Sequence, residues 1–149
     1  ANTEDLEKAD ALLWEFMSHT CPSIKRGVPS SWALPAFSRK MAGLAEDQKM
    51  AMWPAEEGTG IISSNAIGQS AFMWHLRGLP RLRQAFALIF GTDDLVTSFD
   101  GAGVFRPYGH DLSWKSKSTW YHVDQGDGKH GFHSLQGLVS LTRASAETG

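Results

Sequence analysis

The sequence is poor in cysteine and has no long apolar run. Cys21 is its only cysteine, so the chain can form neither an internal disulfide nor a cysteine metal cluster. A reducing, cytoplasmic compartment is therefore the simplest expectation. No uninterrupted hydrophobic stretch approaches the roughly 20 residues that a membrane-spanning helix needs, and we expect no membrane partner.

The sequence also lacks a strong net charge. It has 14 lysines and arginines against 16 aspartates and glutamates, which gives a formal net charge of -2. Such a balance provides no global attraction for nucleic acid or an anionic membrane, so we predict no nucleic-acid partner. The local basic groups at Arg77, Arg81 and Arg83 and at Lys115 and Lys117 fit a solvated helix face and a loop better than an anion site.

A length of 149 residues with 42% hydrophobic residues is typical of one globular domain, residues 1–149. Its first part, residues 1–91, is predicted to be mainly helical. One helix starts at a Thr3 cap, a short one lies within residues 35–52, and another runs from about Gln69 to Gly78. The next helix has Pro80 in its first turn and Gly91 just past its end, the usual asymmetry of helix ends.

The second part, residues 92–149, is predicted to form strands. Within the first part, residues 54–60 form a break. In the second part, Asp100 with Gly101 is a turn signal, so Asp100 is interpreted as a turn former rather than a ligand. The predicted strands, chosen for apolar and β-branched content, are residues 95–99, 104–105, 119–123 and 132–142.

A His-x-Asp pair ends one of these strands. Side chains two apart on a strand share a face, so His122 and Asp124 can offer an imidazole nitrogen and a carboxylate oxygen to one metal ion. Two histidines and one carboxylate are the set that suits non-haem Fe(II), and the pair supplies two of the three. His130 and His133 lie shortly after the pair and could supply the third ligand, but their interpretation as loop histidines is preferred.

Several segments around this pair carry a family resemblance. Taken in order along residues 60–149, they resemble the phytanoyl-CoA dioxygenase-like branch of the Fe(II)/2-oxoglutarate oxygenases. The matching segments are residues 68–74, 90–101, 105–107, 120–125 and 135–141.

The resemblance implies an α+β fold in which N-terminal helices pack on a double-stranded β-helix, or jelly roll. It also implies that His122, Asp124 and a distal histidine hold Fe(II), with 2-oxoglutarate chelating the metal. Such enzymes use dioxygen to oxidise an unactivated carbon of a small-molecule substrate. The protein positions the reactants and excludes water.

Four further residues are assigned to the cosubstrate. Gln136, Leu138 and Ser140 alternate on one face of the last predicted strand, from which related enzymes line the cosubstrate pocket, although core packing is an equal alternative. Arg106 either reaches an anionic group or braces a turn.

The sequence departs from the family pattern because it ends before the distal histidine and before the basic residue that, in such enzymes, pairs with the far carboxylate of 2-oxoglutarate. We therefore expect these 149 residues to hold only the first strands of a partial jelly roll, to need the missing C-terminal part of the same barrel as a partner, and to be inactive in isolation. The alternative is a non-catalytic jelly-roll module for binding or structure.

Overall fold

The computed structural model describes residues 2–38, 43–117 and 126–145 and shows a mixed α+β chain. The helices are α1 (Thr3–Thr20), α2 (Glu46–Lys49), α3 (Ala71–Gly78) and α4 (Pro80–Phe90). The strands are β1 (Ala36–Phe37), β2 (Trp53–Glu56), β3 (Ile61–Ile62) and β4 (Ala102–Gly103), and 3-10 turns cover Pro29–Trp32, Ile67–Gln69 and Leu112–Trp114. None of the helices in these ranges is long and apolar enough to cross a membrane.

The cap of helix α1 is Asn2, one residue before the predicted cap Thr3, which is the first residue of the helix. The Asn2 side chain accepts a hydrogen bond from the Asp5 backbone N–H at 2.7 Å, and the Asp5 carboxylate accepts from the Asn2 N–H at 3.0 Å. This reciprocal pair satisfies two backbone donors that a helix start leaves unpaired. The helix then buries one apolar stripe, Ala9, Leu13 and Met17, at four-residue spacing.

Helices α3 and α4 confirm the predictions made from their end signals. The Ser70 hydroxyl accepts from the Met73 N–H at 3.2 Å and caps α3. Pro80 is the first residue of α4, and Gly91 ends it with φ at 69°, a left-handed conformation that glycine adopts without steric cost. His75 ties α3 to α1, because its Nε2 lies 3.0 Å from the Asp5 carbonyl oxygen.

The core lies between α1, α3 and the short strands. A chain of tilted tryptophan rings extends it, with ring centroids 5.6 Å apart for Trp14 and Trp32 and 6.2 Å apart for Trp32 and Trp53. The buried residues that pack around these elements include Cys21, Ile24, Ala55, Ile62, Ile67, Phe72, Leu76 and Ala102.

The described residues form two two-stranded sheets. Strands β1 and β2 are parallel, and β3 pairs with β4 in antiparallel register, Ile61 opposite Gly103 and Ile62 opposite Ala102. The predicted break at residues 54–60 is therefore wrong at its start, because Trp53, Pro54 and Ala55 are buried in β2.

Three strand predictions need correction. Residues 95–99 and 132–142 have no strand, and the strand predicted at 104–105 lies at Ala102–Gly103 instead. A strand exists only where a neighbour accepts its backbone hydrogen bonds, and β-branched composition does not supply that neighbour. Strand 119–123 lies outside the described residues, and within the described ranges no jelly-roll sheet is formed.

The β3–β4 pair depends on Gly101, and this can be tested by substitution. An alanine Cβ at Gly101 would lie 2.6 Å from the Ile62 carbonyl oxygen, a backbone atom that cannot rotate away. We expect Gly101→Ala to lower the free energy of unfolding by about 1–3 kcal/mol, the usual cost of overpacking. Urea denaturation of the purified variants measures this change.

Gly78→Ala is the matched control, because nothing lies within 4 Å of a Cβ at that position in α3. It should leave stability unchanged or raise it by up to about 1 kcal/mol, since alanine favours the helix. Equal destabilisation by both substitutions would contradict the close contact at Gly101.

Candidate functional site

The two predicted metal ligands, His122 and Asp124, lie outside the described residues. Before them, the described chain ends at Lys117, whose backbone N–H donates to the Gly58 carbonyl at 2.8 Å. After them it resumes at Gly126, whose carbonyl accepts from the Lys129 N–H at 3.2 Å. The assignment of both residues as metal ligands stays a prediction.

The described residues do not by themselves supply a metal site. Across residues 2–38, 43–117 and 126–145, no three His, Cys, Asp or Glu side chains come together as ligands. His130 and His133 are exposed, and the Nε2 of His133 lies 2.7 Å from the His130 carbonyl oxygen. That nitrogen is engaged with its own loop, as expected for a loop histidine.

The Arg106 side chain binds the backbone of residues 32–34 and contacts two tryptophan rings. Its Nη1 donates to the carbonyl oxygens of Trp32 at 2.9 Å and Leu34 at 2.8 Å. Its guanidinium carbon lies 5.4 Å from the ring centroid of Trp53 and 4.8 Å from that of Trp114, within cation–π range. Of the two roles predicted for Arg106, these contacts are those of a brace.

The carboxylates of Asp111 and Glu57 act electrostatically on the Arg106 guanidinium. Burial lowers the pKa of Arg106 from its ordinary value, and the charges of Asp111 and Glu57 act in the opposite direction. Hydrogen bonds from Ser113 hold the pKa of Asp111 below its ordinary value, and Arg106 adds to this lowering. A further anion at Arg106 would have to compete with these two carboxylates.

The three residues assigned to the cosubstrate pocket face outward. Gln136, Leu138 and Ser140 are all exposed, whereas Val139 and Leu141 are partly buried and pack against the core. Exposure alternates only over residues 138–141, because Leu135 and Gly137 are exposed as well, and the three assigned residues are not packed in the core.

Arg77 has an environment that the sequence did not indicate. It was predicted on a solvated helix face, but its side chain is only 12% exposed. Its Nη1 donates to the Gly68 carbonyl at 2.6 Å, and its Nη2 donates to the Ser98 carbonyl at 3.0 Å and lies 3.5 Å from the Asp100 carboxylate. One guanidinium thus joins two segments far apart in the sequence.

An open cleft of about 320 Å³ lies between residues 63–69 and residues 99–101. Asn65 and Ala66, at its edge, have φ values of 54° and 55°, a left-handed conformation that is uncommon outside glycine and that recurs at functional sites. Asp100 and Gly101 belong to the cleft and do not form the predicted turn. The lining residues are Ser63, Ala66, Ile67, Gly68, Gln69, Phe99, Asp100 and Gly101.

Comparison with known proteins gives one partial likeness. Over 69 residues the chain is 32% identical to "Ava biosynthesis cluster protein O" of Aspergillus versicolor, a match that covers 46% of this chain and 21% of that protein. The chain thus spans about a fifth of the length of this relative. No family model and no solved structure matches the chain.

The brace at Arg106 leads to a stability prediction. Arg106→Met keeps the length of the side chain but removes two charged hydrogen bonds to carbonyls, so we expect it to destabilise the fold by about 2 kcal/mol. Arg106→Lys should cost less, because a lysine retains a donor without the planar guanidinium.

Arg81→Met is the control, since Arg81 is exposed on α4. Urea midpoints of the three variants measure the difference. An Arg106→Met midpoint equal to that of Arg81→Met would show that Arg106 is not a structural brace.

Proposed function

We propose that the chain is part of an Fe(II)/2-oxoglutarate-dependent oxygenase that carries out a tailoring oxidation of a small organic molecule. The observation that carries this proposal is the His122-x-Asp124 pair within an ordered series of segments resembling phytanoyl-CoA dioxygenase-like enzymes. The partial likeness to a biosynthesis cluster protein supports a biosynthetic role for the oxidation.

In this proposal His122 and Asp124 hold the metal. Bound Fe(II), with 2-oxoglutarate and dioxygen, supplies the oxidising chemistry for an unactivated carbon. In this proposal Gln136, Leu138 and Ser140, whose side chains are exposed, line the cosubstrate pocket, as the resemblance implies. We assign the third protein ligand and the basic residue that pairs with the far carboxylate of 2-oxoglutarate to later strands of the barrel, as the resemblance implies.

The jelly roll belongs to the same proposal. Apolar side chains in the segments predicted as strands are exposed, with Val96 at 99%, Phe99 at 77% and Leu138 at 92%. Large apolar surfaces of this kind mark sites that another part of a protein covers. We propose that the C-terminal part of the barrel covers the exposed apolar side chains of residues 132–142.

A non-catalytic jelly-roll module is the second candidate function. One observation favours it: Arg106 is occupied by backbone carbonyls and tryptophan rings. In this alternative the scaffold is kept and turnover is lost.

Substitution of the two proposed ligands in the longer protein tests the oxygenase. We expect His122→Ala and Asp124→Ala to reduce turnover by more than about 100-fold, since even residues that only orient a ligand are worth 10–100-fold. Succinate formed from 2-oxoglutarate measures turnover, and Mn(II) binding measured by calorimetry reports the metal site separately. The 149-residue chain alone should form little or no succinate.

His110→Ala is the control, because His110 is exposed and is not part of the His-x-Asp pair. Full succinate formation by His122→Ala or Asp124→Ala would refute the ligand assignment. A complete chain that neither binds Mn(II) nor forms succinate would instead establish the non-catalytic module.

A further inference from the structure

We propose that the cleft between residues 63–69 and residues 99–101 binds a small neutral molecule with an apolar side and a paired hydrogen-bond donor and acceptor, as in a primary amide. The proposal requires no metal and does not rest on the oxygenase function. It starts from the geometry of the cleft, whose walls are positioned by Arg77 and by the two glycines Gly68 and Gly101.

The two walls of the cleft are held in fixed positions. Arg77 donates to the Gly68 carbonyl of one wall and to the Ser98 carbonyl beside the other. A Cβ on Gly68 would lie 3.2 Å from the Asp100 carbonyl oxygen, so the walls touch only because no side chain intervenes. A site held in this way loses little conformational entropy when a ligand binds.

Gln69 provides the donor. Its Oε1 accepts from the indole N–H of Trp74 at 2.9 Å, which fixes the orientation of the amide. Its Nε2 accordingly remains as a donor, and among the described residues none accepts from it. Because Gln69 lines the cleft, this donor is available to a ligand carbonyl.

Asp100 provides the acceptor. Its Oδ1 accepts from the Ser98 hydroxyl at 3.1 Å, and its Oδ2 lies 3.5 Å from the Nη2 of Arg77. A carboxylate has about four acceptor positions, so others remain for a ligand N–H, and the side chain is 53% exposed. The Ser63 hydroxyl adds a group that can donate or accept.

The remaining lining selects the size and polarity of the ligand. Phe99, which is 77% exposed, and Ile67 supply an apolar surface. A cleft of about 320 Å³ is at the lower end of the size range of small-molecule sites. Asp100 is the charged side chain among the lining residues, and its carboxylate, which Arg77 balances only in part at 3.5 Å, disfavours a dicarboxylate such as 2-oxoglutarate in the cleft.

Benzamide is the probe for this site, and benzoate is the control probe of the same shape with a negative charge. Both are titrated into the ¹⁵N-labelled 149-residue chain and followed by two-dimensional NMR. We expect benzamide to shift the amide signals of Gly68 and Gly101 and the indole signal of Trp74 in a saturable way. Benzoate should bind at least about tenfold more weakly, a ratio that corresponds to about 1.4 kcal/mol.

Two variants test the polar contacts. In Asp100→Asn the preference for benzamide over benzoate should fall toward equality, because the opposing charge is gone. Gln69→Leu should weaken benzamide binding by about tenfold through loss of the donor, and it leaves the contact between Arg77 and Asp100 in place. It therefore tests the site even if Asp100→Asn does not fold, which the dispersion of the NMR signals shows directly.

Asp94→Asn is the matched control, since it removes the same charge from an exposed segment outside the cleft. It should leave the preference for benzamide unchanged. Absence of saturable shifts at the cleft, equal affinity of the parent chain for both probes, or an equal loss of preference in Asp94→Asn would each overturn the proposal.

Discussion

Two arginine side chains that donate to backbone carbonyls, Arg77 and Arg106, hold residues 92–117 onto the first part of the chain. Residues 92–117 contain one two-residue strand and one 3-10 turn, so most of their backbone groups have no sheet or helix partner. Arg77 reaches into this region from α3, and Arg106 reaches out of it to the loop before β1. A guanidinium suits this role because it carries five donors in a fixed plane and stays charged when partly buried.

This arrangement divides the molecule by the kind of interaction that stabilises it. Helices α1 and α3 share a continuous apolar core, whereas α4 has no buried side chain and is covered in part by stacking of Phe90 on Phe132, with centroids 4.7 Å apart. A region with few buried apolar contacts opens at lower free energy than the core. The loss of one arginine brace should therefore affect residues 92–117 more than the helices.

The helices could be predicted because their signals are local. Pro80 and Gly91 bound α4 without reference to any other element, and the apolar spacing in α1 identifies its buried face. The sheets could not be predicted in this way. Leu95–Phe99 has the composition of a strand but has no neighbouring strand to pair with among the described residues. Composition measures how well a residue suits a pleated surface, and pairing is decided by distant parts of the chain.

The difference between local signals and distant contacts also explains why the environments of Arg77 and Arg106 could not be predicted from the sequence. Helical spacing gave the face of α3 on which Arg77 lies, but burial of that face depends on residues 98–100, which fold over it from twenty residues away. The role of Arg106 was left between two alternatives because it is decided by Trp32, Trp53 and Trp114, which no short motif connects.

Charge also separates the two sites that we propose. Asp100 is the charged residue among those that line the cleft, and the charges of Asp111 and Glu57 act on Arg106, a described cation that precedes the predicted motif. If the oxygenase proposal holds, we expect the far carboxylate of 2-oxoglutarate to pair with a cation other than Arg106, and the cleft is left for a neutral ligand.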